Sequence, residues 1–133
     1  MANIVLAEDD LHIVKVVGLW LRRNHHEVVE VINGRDALEA VKEHRPDLLI
    51  TDVNMPAVSG VDLVKACASE GVLPHGVIIM SSRCDQAEIR HRLRGLSVVL
   101  HPKPFSPSKL IHEAESLLER AVEARAPSST AKG

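Results

Sequence analysis

Short apolar runs rich in β-branched residues alternate along the chain with longer stretches of helical period. Residues 3–7, Asn-Ile-Val-Leu-Ala, read as a buried strand. Residues 11–23 predict a helix whose inner stripe is Ile13, Val17, Trp20 and Leu21, turning polar at Asn24. Residues 27–32 predict a second strand, closed by the turn pair Asn33-Gly34. A helix over residues 35–44 follows, with Leu38 and Val41 inward and Pro46 ending it. Residues 47–51 predict the third strand. A helix over 61–69 turns Leu63, Val64 and Cys67 toward the core and ends at Gly71. The fourth strand is predicted at 77–80, a short helix at 86–94 closed by Gly95, and the fifth strand at 97–100. Ser106 caps a last helix with Pro107 in its first turn, where a missing N–H costs nothing. Leu110, Ile111, Ala114, Leu117, Leu118, Ala121 and Val122 carry that helix's stripe.

Five βα units result. Strands that read as near-continuous apolar runs are buried on both faces, as in a parallel sheet. Alternation of this kind predicts an α/β fold with helices on both sides. Right-handed crossovers and a length of 133 residues favour a doubly wound sheet over a barrel, which needs ~200 residues or more. The expected domain covers residues 1–125. Residues 126–133, rich in Ala, Ser, Pro and Gly, have the composition of a frayed end or a linker.

Composition changes this picture by exclusion. Sixteen Lys and Arg against eighteen Asp and Glu give a net charge of −2, so nothing electrostatic argues for nucleic acid or an anionic membrane. Trp20 and Phe105 are the only aromatics, which removes base-stacking platforms and aromatic cages. Cys67 and Cys84 lack metal-ligand or redox spacing and suit a reducing cytoplasm. No apolar stretch approaches ~18 residues, so no membrane span is expected. His25, His26, His44, His75, His91, His101 and His112 share no metal spacing, and surface or edge positions account for them. Arg90, Arg92 and Arg94 read as a solvated helix face.

In an open parallel sheet, ligands bind beyond the carboxyl ends of the strands, where the strand order reverses. Glu8, Asp9 and Asp10 follow the first predicted strand, Asp52 the third, Ser81, Ser82 and Arg83 the fourth, and Lys103 the fifth. Converging carboxylates repel one another unless a cation joins them. Mg²⁺ suits a few carboxylates, waters and a phosphate oxygen. Lys103 and the Ser81 hydroxyl are suited to phosphoryl oxygens, and a carboxylate beside them can attack phosphorus. Each residue also has a plainer reading. Asp9 or Asp10 caps the first helix, Asp52 is a turn residue before Pro56, Ser81-Ser82 form a hydroxyl turn, and Lys103 is a solvated loop charge.

Four motifs stand in order: Ile4-Val5-Leu6-Ala7-Glu8-Asp9-Asp10; Asp47-Leu48-Leu49-Ile50-Thr51-Asp52-Val53-Asn54-Met55-Pro56 with Gly60; Val77-Ile78-Ile79-Met80-Ser81-Ser82; and Pro102-Lys103-Pro104-Phe105. Together they resemble the receiver domain of two-component response regulators over about residues 3–124. The resemblance implies a CheY-like, flavodoxin-like sheet of order 2-1-3-4-5. It implies that Asp52 accepts a phosphoryl group from a histidine kinase or phosphotransfer protein. It implies direct Mg²⁺ binding by Asp9, binding by Glu8 through water, and a share for Asp52 and the backbone carbonyl of Asn54. Lys103 pairs with the phosphoryl group, and its peptide bond to Pro104 is cis in many relatives. Ser81 reports phosphorylation by moving its hydroxyl. Asn54 and Arg83 flank the path of the hydrolytic water and set the phosphoryl lifetime, with Arg83 expected to slow decay.

Two departures bear on output. The switch position three residues before the Lys, usually Tyr or Phe, is Leu100, and the preceding pair, often acidic, is Val98-Val99. Output is then expected through the fourth helix, fifth strand and fifth helix without a rotating ring. The resemblance also leaves open a phosphorylation-dependent dimer. The expected role is a cytoplasmic signalling domain that phosphorylates and dephosphorylates itself without being a turnover enzyme. The alternative is a phosphorylation-independent adaptor. A phosphatase of the haloacid dehalogenase class needs a second Asp two residues after the nucleophile. Asn54 stands there and cannot shuttle a proton.

Overall fold

The computed structural model describes residues 2–103 and 106–125, with side chains throughout except Arg83 and residues 121–125. Along it run β1 (Asn3–Ala7), α1 (Leu11–Arg23), β2 (Glu27–Val31), α2 (Gly34–His44) and β3 (Leu48–Asp52). Then come α3 (Gly60–Ser69), β4 (Gly76–Ser81), a 3-10 turn (Arg83–Asp85), α4 (Gln86–Arg92), β5 (Val99–Pro102) and α5 (Pro107–Arg125). The strands form one parallel sheet in the order β2-β1-β3-β4-β5, the expected doubly wound arrangement. The expected cis bond before Pro104, Phe105, the lifetime role of the Arg83 side chain, the inward packing of Ala121 and Val122, and residues 126–133 lie outside what is described.

Side chains alternate across each strand, so a strand with both faces covered needs apolar residues at every position. One face of the sheet carries Val5, Ala7, Leu49, Val77 and Ile79 against Ala37 and Val41 of α2, Leu63 and Val64 of α3, and Ile89 of α4. The other carries Ile4, Leu6, Leu48, Ile50, Ile78 and Met80 against Val14, Val17 and Leu21 of α1 and Leu110, Ala114 and Leu118 of α5.

The element boundaries differ from the expected ones in informative places. The buried stripe of α1 is Val14, Val17, Gly18 and Leu21. Trp20 stays 37% exposed, and Asn24 is the C-cap. Asn33-Gly34 is a helix start and not a free turn, because the Asn33 side chain accepts from the Asp36 N–H at 2.8 Å. β2 accordingly stops at Val31 and leaves Ile32 48% exposed. In α2, Ala37, Ala40 and Val41 are the buried side chains and Leu38 only packs against their edge. The helix ends at Arg45 in a left-handed conformation (φ 46°) just before Pro46. β3 starts one residue later than expected, at Leu48, although the N–H of Asp47 still donates to the Asn3 carbonyl of β1 at 2.8 Å. Asp52 is therefore the last strand residue and not the first loop residue. α4 closes two residues early at its C-cap Leu93. β5 begins two residues late and ends in Pro102, tolerated because β5 is an edge strand.

Candidate functional site

The strand order reverses between β1 and β3, since the chain goes from β1 outward to β2 and then returns across to β3. The carboxyl ends of these two strands deliver the acidic residues. Glu8 follows β1 and is 2% exposed. Asp52 ends β3 and is also 2% exposed, while Asp9 is exposed. One carboxylate oxygen of each of Glu8, Asp9 and Asp52 lies within 4.8 Å of the others. Asp10 turns away and caps α1, accepting from the N–H groups of His12 at 3.0 Å and Ile13 at 3.4 Å. The capping alternative thus holds for Asp10 and not for Asp9. The backbone N–H of Asp10 points back and donates to Glu8 Oε2 at 3.0 Å.

Asp52 is held from two sides. Its Oδ2 accepts from the Asn54 N–H at 3.0 Å, and its Oδ1 forms an ion pair with the Lys103 ammonium. The pairing of Ser81 with Pro102 in the β4–β5 ladder brings these loops together. The Lys103 N–H then donates to the Ser81 carbonyl at 2.9 Å. Ser81 Oγ is fully buried and has no hydrogen-bond partner among the described residues. The hydroxyl turn belongs to Ser82, whose Oγ donates to Asp85 Oδ2 at 2.9 Å. Glu8, Asp9, Asp52, Ser81 and Lys103, together with the Asn54 backbone, thus stand at one rim. Leu100 does not. It is buried in the same apolar cluster as Ile89 and Leu93.

The loop carrying Asn54 is fixed by close backbone contacts. The N–H of Gly60 donates to the Val53 carbonyl at 2.9 Å, and that of Val53 to the Met80 carbonyl at 3.1 Å. A Cβ at Gly34 would lie 2.1 Å from the Val58 carbonyl oxygen, so α2 approaches this loop at van der Waals limits. Ala57 adopts φ 71°, a left-handed conformation with no glycine to announce it in the sequence.

Three carboxylates this close, two of them buried, fit a hard cation. Glu8 Oε1 is buried with no hydrogen-bond partner among the described residues, and the donors are all oxygen, as Mg²⁺ prefers. Without a cation, burial pushes the Glu8 carboxyl up to about 7, helped by repulsion from Asp52 and opposed by the Asp10 N–H and Lys103. The folded chain therefore keeps a proton on Glu8 that the unfolded chain releases near its ordinary 4.5. Stability present below the unfolded value is lost as pH rises from there to about 7. In metal-free buffer this loss should reach a few kcal/mol at most, because each tenfold difference in proton affinity between the folded and unfolded chain is worth ~1.4 kcal/mol. Glu8→Gln, which cannot ionise, should lack it. Urea unfolding at pH 5 and pH 7.5 checks this, and parallel pH profiles for the two chains would refute it.

Outside the rim, His26, just before the edge strand β2, and His101, within the edge strand β5, hold the expected edge positions and are both buried. His26 pairs with Glu115, and His101 Nδ1 lies 2.7 Å from Glu113 Oε1. Arg92 reaches Asp62 of α3 at 2.9 Å, while Arg90 and Arg94 are exposed. Among the described residues no helix is long and apolar enough to cross a membrane.

The family model described as "Response regulator receiver domain" matches residues 4–115. The chain is 30% identical over 132 residues to the response regulator GtcR of Aneurinibacillus migulanus, covering 97% of this chain and 52% of that protein. It is 36% identical over 119 residues to the transcriptional regulatory protein PdtaR of Mycobacterium tuberculosis, covering 89% and 57%. The chain thus spans about half the length of these curated relatives. Among solved structures, the receiver domain of the Francisella response regulator 1452 superposes with a TM-score of 0.81 at 25% identity, covering 90% of this chain and 98% of that one. The chemotaxis response regulator CheY4 of Vibrio cholerae gives 0.77 at 25% identity, covering 88% and 98%. The doubly wound sheet, the acidic cluster at its switch point and these matches agree: the chain belongs to the response regulator receiver domain family of two-component signalling.

Proposed function

We propose that Asp52 accepts a phosphoryl group from the phosphohistidine of a sensor kinase or phosphotransfer protein. The N–P bond breaks as an O–P bond forms to the Asp52 carboxylate. The single observation that carries this reading is the setting of Asp52: a buried carboxylate at a strand end, paired with Lys103 and grouped with Glu8 and Asp9. Glu8, Asp9, Asp52 and the Asn54 carbonyl hold Mg²⁺, which when bound offsets negative charge on the transferring group. Lys103 swings from Asp52 to a phosphoryl oxygen, and Ser81 gives its unpartnered hydroxyl to another. No Asp stands at position 54 to drive turnover, so the chain is a self-modifying signalling domain and not a turnover enzyme. Incubation with acetyl phosphate and Mg²⁺ should give one hydroxylamine-labile phosphoryl adduct by intact-mass spectrometry. No adduct, with partner binding unchanged, would overturn the reading in favour of a phosphorylation-independent adaptor.

Metal binding separates the neighbouring acids. Asp9→Ala should weaken Mg²⁺ by more than about tenfold, ~1.4 kcal/mol. Asp10→Ala should leave Mg²⁺ affinity nearly unchanged and instead cost about 1 kcal/mol of stability, because Asp10 is the cap of α1. Calorimetric titration and thermal unfolding of both variants test the pair. Equal Mg²⁺ affinity of Asp9→Ala and wild type contradicts the ligand assignment.

Output leaves through α4, β5 and α5. Leu100 shares a buried cluster with Ile89 of α4 and with Leu93, the cap of that helix, so a ring flip is replaced by a backbone shift of the Ser81–Asp85 loop as Ser81 engages the phosphoryl group. Beryllofluoride with Mg²⁺ should slow hydrogen exchange at residues 82–94 more than at 35–44. Leu100→Ala should lose about 2–4 kcal/mol of stability and keep that response. Loss of the response with normal phosphorylation of Asp52 would make Leu100 the relay and refute the backbone account.

A further inference from the structure

Thr51 stands one residue before Asp52 on β3 and is fully buried. A buried strand position asks only for a β-branched side chain, and Val would fill it as well. The hydroxyl is nevertheless engaged. The β1–β3 ladder ends at the Ala7–Thr51 pair, and just beyond it Thr51 Oγ1 donates to the Asp52 carbonyl at 2.9 Å. That carbonyl faces the start of α3, where a Cβ on Gly60 would lie 2.3 Å from its oxygen.

The carbonyl of one residue and the N–H of the next share a rigid plane. The plane between residues 52 and 53 is held at its oxygen by the Thr51 hydroxyl and at its N–H by the Met80 carbonyl at 3.1 Å. The plane between 53 and 54 is held at its oxygen by the Gly60 N–H at 2.9 Å and at its N–H by Asp52 Oδ2 at 3.0 Å. Main chain and Asp52 itself supply these partners, apart from the Thr51 hydroxyl. Removing that hydroxyl frees the first plane to tilt, and the tilt passes to the Asn54 N–H that orients the Asp52 carboxylate.

We propose that Thr51 is a positioning residue for phosphoryl transfer, its hydroxyl fixing the peptide after Asp52 and through it the aim of the acceptor carboxylate. This role rests on Asp52 being the acceptor. Transfer between aligned atoms falls steeply with misplacement, so a small tilt is enough to slow it.

Two variants of the full chain separate positioning from packing. Thr51→Val keeps the shape and removes the donor, whereas Thr51→Ser keeps the donor and removes a buried methyl. In Thr51→Val, amide hydrogen exchange at Val53 and Asn54 in metal-free buffer should speed roughly fivefold, and uptake from acetyl phosphate with Mg²⁺ should slow by a similar factor. Exchange across α2 should not change. Thr51→Ser should melt about 4 °C below wild type, yet keep wild-type exchange at Val53 and Asn54 and wild-type uptake. Wild-type exchange and uptake in Thr51→Val would make Thr51 a filler and overturn the proposal. Faster exchange with normal uptake would overturn it too, since the held peptide would then not aim the acceptor. Uptake falling in both variants in step with their melting temperatures would reassign Thr51 to stability alone. Absence of uptake in the wild type would refute Asp52 as acceptor, and this role with it, whereas failure of the Thr51 role alone leaves wild-type uptake in place.

Discussion

Asp52→Asn should abolish phosphoryl uptake, a drop of at least about a hundredfold in the rate of adduct formation from acetyl phosphate. The amide oxygen is far less nucleophilic than a carboxylate and cannot form an acyl phosphate without losing its nitrogen. The exchange is nearly isosteric, so the packing around position 52 survives. The side-chain oxygen still accepts from the Asn54 N–H, as Oδ2 does at 3.0 Å. Lys103 loses its ion-pair partner, but its side chain is 32% exposed and can turn to solvent, so the fold should stand with little change in stability. Lys103→Met is the companion. It keeps the nucleophile and removes the positive charge that stabilises the transferring group, so it should slow uptake without abolishing it. Intact-mass spectrometry over a time course resolves both. A phosphoryl adduct persisting in Asp52→Asn at the wild-type rate would move the acceptor to another carboxylate, with Glu8 and Asp9 the nearest.

Most of this site was legible because two rules of parallel sheets act on it together. Strands buried on both faces need unbroken apolar runs, and the residue types that end those runs fall at one rim. Glu8, Asp9, Asp52, Ser81 and Lys103 were found this way, even though β3 and β5 started one and two residues later than the pattern suggested. The shifts were hidden because Asp47 and Pro102 owe their places to partners in other strands. Trp20 was misplaced for a related reason. A large apolar residue at helical spacing is read as core, yet the α1 stripe buries Val14 and Gly18 beside the expected Val17 and Leu21 and leaves Trp20 at its margin. The burial of His26 had no local signal, since its partner Glu115 is 89 residues away. Asn33-Gly34 carries the residues of a turn and of a helix cap alike, and only the Asp36 N–H decides between them. Nothing in the sequence marks the left-handed Ala57.

The same loop makes Gly60→Ala a large stability change outside the apolar core. Gly60 opens α3 with φ in the ordinary negative range, since Gly71 and Gly95 are the glycines at positive φ among the described residues. Backbone conformation alone would therefore favour alanine, by up to ~1 kcal/mol of helix propensity. Space decides the sign. A Cβ at position 60 would sit 2.3 Å from the Asp52 carbonyl oxygen and 3.0 Å from Val53 Cα, both of them backbone. Neither can yield cheaply. β3 lies in the interior of the sheet between β1 and β4, and the Asp52 carbonyl accepts the Thr51 hydroxyl at 2.9 Å. Forcing a methyl into backbone contacts costs more than the propensity returns, leaving a net loss of about 2–3 kcal/mol, or roughly 8 °C in Tm for a domain of this size. Because the displaced atoms belong to Asp52 itself, phosphoryl uptake should slow as well. Gly71→Ala is the control. No atom lies within 4 Å of its Cβ position, but its φ is +72°, so it should cost only the ~1 kcal/mol of a left-handed alanine and leave uptake untouched. Thermal unfolding and uptake kinetics on both variants decide the matter. If Gly60→Ala melts within a degree or two of wild type with normal uptake, the start of α3 is free to move and does not set the position of the acceptor.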